Sequence, residues 1–187
     1  MQTTGFRKLV FSLAVPAAAL LGACADDSPV GPDRLPLTIN ASVAPAMSAC
    51  PKLAAPAESK LVFHVYANGV QIYRWNGSGW SFVGPEATLS ADAAGNSVVG
   101  IHYAGPKWES NSGGKVTGTV IDRCTPNPDA IPWLSLSGVS EGGGIFHRVT
   151  FIQRVNTVGG KEPTYQGSAG EVARVPYTTE YFFYRTK

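Results

Sequence analysis

The chain has 187 residues, 44% of them hydrophobic, and its 21 glycines and 14 prolines argue against a helical bundle and for a single domain punctuated by turns. The formal charge of +2 belongs to Arg7 and Lys8. Without the first 23 residues, 13 basic groups face 13 acidic ones, so no basic surface remains to attract phosphates and a nucleic-acid partner is not expected.

Arg7 and Lys8 precede an apolar run over residues 9–21. That run is too short to cross a hydrocarbon layer of about 30 Å as a helix, so residues 1–23 read as a signal peptide with a helical apolar region. It ends in Leu21-Gly22-Ala23-Cys24, which resembles the lipobox of bacterial lipoproteins. The resemblance implies that Cys24 is lipidated and heads the mature chain, so that the membrane is a partner through the lipid anchor. An ordinary secretory signal with an incidental Cys24 is the alternative. In lipoproteins an Asp directly after the cysteine marks inner-membrane retention. Ala25 stands there instead, which favours the outer membrane of a bacterial envelope that has one.

Residues 24–59 hold Pro29, Pro32, Pro36, Pro45, Pro51 and Pro56 among small side chains with no sustained period. This composition predicts a disordered tether with a span on the order of 30 Å. Asn40-Ala41-Ser42 fits a glycosylation sequon, a chance match behind a bacterial lipobox.

From residue 60 to 187 the pattern changes to short alternating runs, and no stretch of ten residues keeps helical spacing. Strands are expected at 61–66, 70–75, 80–83, 87–90, 97–103, 115–122, 133–137, 146–158 and 175–185. Asn68-Gly69 predicts a tight hairpin, and Asn76-Gly77-Ser78-Gly79 a second one that sets Trp75 opposite Trp80. Gly84-Pro85 and Gly105-Pro106 read as echoed corners, each followed by a turn, at 92–96 and 111–114. The expected fold is all-β, an antiparallel meander closing as a barrel or sandwich.

On 146–158 one face carries Val149, Phe151 and Val155 with Gln153 among them, and the other carries Arg148, Ile152, Arg154 and Asn156. A glutamine on an apolar face must find hydrogen-bond partners or cost about 1–3 kcal/mol. The aromatic run that ends in Tyr181-Phe182-Phe183-Tyr184 reads as the closing strand.

Gly69-Val70-Gln71-Ile72-Tyr73, Gly84-Pro85-Glu86-Ala87-Thr88-Leu89, His102-Tyr103-Ala104-Gly105-Pro106-Lys107-Trp108-Glu109, Ile131-Pro132-Trp133-Leu134, Ile152-Gln153-Arg154-Val155-Asn156 and Val175-Pro176-Tyr177 occur in order. Together they resemble the family known as domain of unknown function 3455, over roughly residues 60 to 185. The resemblance implies a secreted or surface-directed protein and carries over no catalytic residue. Relatives often have a cysteine where Trp75 stands and another in the region 165–170, and this chain has neither. Cys50 and Cys124 remain instead, a candidate disulfide in an oxidising envelope, or else two unrelated thiols.

His64, His102 and His147 fall on separate expected strands, without the close spacing of a metal motif, so neither a metal nor another cofactor is expected. Glu86 and Glu109 both follow Gly-Pro corners and are the carboxylates best placed for acid–base work. Trp75, Trp80, Trp108 and Trp133 offer a stacking surface, with Trp108 expected beside a turn between Lys107 and Glu109. The candidate ligand site is His102, Trp108, Glu109 and Gln153. The function expected is non-enzymatic binding of a small molecule, glycan or envelope protein. A hydrolase or metal-dependent enzyme using His102 and Glu109 is the alternative, and the two separate on whether these side chains share one concavity.

Overall fold

A computed structural model describes residues 43–187, so the stretch read as a signal peptide, Cys24 and the part of the expected tether up to residue 42 lie outside the described residues. Eight strands follow: β1 (Ser59–Trp75), β2 (Trp80–Ser90), β3 (Val98–Tyr103), β4 (Lys107–Ser110), β5 (Lys115–Cys124), β6 (Trp133–Glu141), β7 (Phe151–Gly159) and β8 (Val172–Thr186). Each pairs antiparallel with the next, and β8 returns to pair with β1, closing a barrel. Closure removes both sheet edges, and eight strands leave an interior that side chains or one small ligand can fill.

Two of the expected turns are not turns. Asn68-Gly69 lies inside β1, where Asn68 faces Thr88 on one side and Thr178 on the other. Gly69 serves close approach rather than reversal, because a Cβ there would lie 2.1 Å from the Glu86 carbonyl oxygen. Gly84-Pro85 is likewise within β2, next to a bulge opposite Ile72 and Tyr73. The echo therefore holds only in its second copy, where Ala104-Gly105-Pro106 does join β3 to β4. The turn at 76–79 forms as expected, with the Trp75 and Trp80 rings 5.6 Å apart in an edge arrangement. Trp75 and Trp80 also pack on Gly167, where a Cβ would lie 2.9 Å from the Trp80 indole and 3.0 Å from the Trp75 Cβ. A large-against-small contact thus fills this region.

The half of the barrel at the start of β1 is solid. Phe63 stacks on Phe183 at 4.5 Å, Phe146 packs against both, and Leu89, Val116 and Ile152 complete the core. Phe146 and Val149 belong to the turn before β7 rather than to a strand, and they tuck inward as a plug.

The outer face of β7 and β8 is apolar too, and the end of the stretch read as tether covers it. A short 3-10 helix, Pro51–Leu53, lies there with Leu53 fully buried. Met47, Ala55, Leu61 and Trp133 pack on Phe151, Val155, Phe182 and Tyr184. The Cys50–Cys124 disulfide forms, with Cα atoms 5.9 Å apart, and fastens this segment to the end of β5. Residues 47–58 are therefore part of the folded unit. Their proline content hid apolar anchors that only a neighbouring barrel face explains.

Candidate functional site

Alternation decides which of the candidate residues meet. On β3, His102 points into the barrel and is 2% exposed, and its register partner on β4 is Trp108, 1% exposed. The two rings stack at 4.5 Å and 14°, and Tyr181 of β8 meets both edge-on. Trp108 is thus the largest fully buried side chain among the described residues rather than an exposed platform. Gly118 makes room for it, since a Cβ there would stand 2.8 Å from the indole.

Glu109, one residue on, points outward, where it accepts a hydrogen bond from the Tyr103 hydroxyl at 2.8 Å and lies 3.8 Å from Lys115. Gln153 is buried on the outer side of β7, donating to the Leu53 carbonyl at 2.6 Å and accepting from the Tyr184 hydroxyl at 2.5 Å. It finds the partners its position demands, and they come from the covering segment and β8 rather than from a ligand. The four candidate residues therefore do not converge, and an acid–base pair of His102 and Glu109 is ruled out by the barrel wall between them.

The other candidates are equally dispersed. His64 is on the outer face, stacked on Phe182 at 4.4 Å and 2.9 Å from Glu180. His147 is in the turn before β7, exposed to solvent. No group of three or more metal-ligating side chains occurs among the described residues. Glu86 is an exposed outer residue joined to Arg174 at 2.5 Å, which holds its carboxyl below the usual range.

Above the His102–Trp108 stack the barrel is open. A cavity of about 500 Å³ occupies this end, reached between the β3–β4 turn and the start of β6. Its walls are mostly apolar, including Pro85, Pro106, Ile131 and Leu134, and Phe82, Val83 and Val120 form an exposed apolar lip. Gln71, Tyr73, His102 and Arg154 bring the polar groups, with the exposed Arg123 also on its lining. Arg154 of β7 lies directly across from Leu134 on β6 and Tyr181 on β8, so the strand face that looked polar in the sequence is the one turned inward. Its Nε and Nη2 donate to the Pro132 carbonyl at 3.1 and 2.8 Å, which fixes the guanidinium in place.

Burial pushes the His102 imidazole down to about 3, with the nearby Arg154 charge acting in the same direction and the Lys107 carbonyl opposing. Its Nδ1–H donates to that carbonyl at 2.8 Å, so the neutral ring keeps Nε2 as an acceptor. The unfolded chain binds a proton at His102 below pH 6.5 that the folded chain refuses until about pH 3. Stability is therefore lost as pH falls through this window, by up to ~1.4 kcal/mol per unit. Urea unfolding between pH 6.5 and 5 is expected to show this slope, and His102→Gln to flatten it.

Fold and cavity together define a closed eight-stranded meander barrel, solid at one end and hollow at the other. Residues 56–185 match the model of a family described as "Protein of unknown function (DUF3455)", and the chain belongs to that family. No curated protein and no solved structure matches the chain.

Proposed function

We propose that the barrel is a binding protein that takes a small, largely apolar molecule into its open end, and that Cys24 anchors it by lipid to the outside of a bacterial membrane. The cavity carries the reading. Eight-stranded barrels of this size hold one small ligand, and about 500 Å³ is within the range of small-molecule sites. The exposed lip of Phe82, Val83 and Val120 gives an apolar ligand a path from solvent. Hydrolysis has no comparable support, because Glu109 and Glu86 lie outside the barrel and each has its own cationic partner.

A neutral fluorescent probe such as N-phenylnaphthylamine is expected to bind the purified domain at one equivalent. Leu134→Trp, which fills the cavity from β6, is expected to weaken that binding at least about tenfold while the domain stays folded by circular dichroism. A wild-type domain that binds no apolar probe would refute the pocket reading. The anchor is tested separately: the full chain should fractionate with membranes and Cys24→Ser should release it, whereas an unchanged distribution would count against lipidation.

A further inference from the structure

Gln71 lines the polar end of the cavity, and the core tyrosines Tyr177 and Tyr181 stand close to Gln71 and Arg154. Gln71 is 2% exposed, Tyr177 2% and Tyr181 1%. Gln71 Nε2 and both hydroxyls lack a partner of normal geometry among the described residues, although the Tyr177 hydroxyl is near enough to Tyr181 and Gln71, and the Tyr181 hydroxyl to Tyr177 and Arg154, for each to perturb the other. Buried polar atoms left in this state are costly, and three together point to a guest or ordered water that satisfies them. Tyr73 is different, since its hydroxyl already donates to the Gly160 carbonyl at 2.7 Å.

Beside these donors is the guanidinium of Arg154. The Pro132 carbonyl occupies Nε and Nη2, and no carboxylate among the described residues forms an ion pair with it. A cation turned into an apolar barrel without a counter-ion is an electrostatic vacancy for an anion. His102 does not duplicate it, because its ring stays neutral, and burial keeps the Tyr177 and Tyr181 phenols protonated as donors.

Resting on the pocket reading above, we infer that the ligand is a monocarboxylate with an apolar tail, its carboxylate on Arg154 and Gln71, which the two tyrosines back from the core, and its tail toward the lip. Arg123 also lines the cavity but is exposed to solvent, so Arg154 is the guanidinium turned inward, and it matches one negative charge. A dianionic phosphate would leave a second charge uncompensated in an apolar cavity, which selects the carboxylate.

The test holds the tail constant and varies the head: decanoate, decanol, decylamine and decyl phosphate are titrated into the domain by calorimetry. Decanoate is expected to bind about 10- to 100-fold more tightly than decanol, with decylamine and decyl phosphate weaker than decanoate. Arg154→Met should erase the preference for decanoate and leave decanol within about twofold, and Arg154→Lys should restore part of it. Because Arg154 also ties down Pro132, the double variant Gln71→Leu with Tyr177→Phe gives a second measure. It keeps the charge, and is expected to weaken decanoate more than decanol. Equal affinity for decanoate and decanol in the wild type would overturn the carboxylate assignment and leave the apolar pocket standing. Tightest binding of decyl phosphate would overturn the monoanion in favour of a phosphate. Failure of all four to bind would overturn the pocket itself.

Discussion

Trp108→Ala is expected to cost about 3–5 kcal/mol in urea unfolding, while Glu109→Ala, at the next residue, changes stability by less than about 1 kcal/mol. The contrast follows from β4 alone. Trp108 is enclosed by His102, Tyr181 and Phe183, whereas the Glu109 side chain is 38% exposed and makes one hydrogen bond and one long ion pair. Removing the indole also takes away the floor on which His102 stacks, so the cavity deepens as the fold weakens. Equal losses at the two positions would mean that β4 does not alternate into the barrel as described.

Breaking the Cys50–Cys124 link is the second large effect. The bridge spans a sequence separation of 74, and closing a loop of that size contributes roughly 4 kcal/mol in the chain-entropy view. A Cys50→Ser, Cys124→Ser variant is expected to lose about that much and to free residues 47–58 from the outer face. Phe151, Phe182 and Tyr184 then meet water, and Gln153 Nε2 loses the Leu53 carbonyl. Hydrogen exchange should rise in 47–58 before it rises in β7 and β8. Unchanged stability and exchange would show that the segment needs no covalent fastening.

Period-two alternation made the all-β class readable, and with it the Trp75–Trp80 hairpin, the turns at 92–96 and 111–114, and the closing strand. Four-residue β4 was missed, although Lys107-Trp108-Glu109-Ser110 alternates cleanly in burial. Asn68-Gly69 misled because glycine serves two purposes, tight reversal and close strand approach, and a local reading cannot separate them. The site was harder to read. Alternation tells two faces of a strand apart, but in this barrel β7 is covered on both, by the interior and by residues 47–58. The apolar face with Gln153 reads as the inside and is the outside, so the sequence pattern points to Gln153 rather than to Arg154. An arginine between Ile152 and Asn156, on the face opposite Phe151, Gln153 and Val155, was the available signal.

A crystal structure of the domain grown with decanoate is the most direct measurement. The account predicts one molecule inside the open end, its carboxylate within hydrogen-bond distance of Arg154 and its chain running past Leu134 toward Phe82. A cavity closed by its own side chains, or decanoate found only on the outer surface of the barrel, would contradict it.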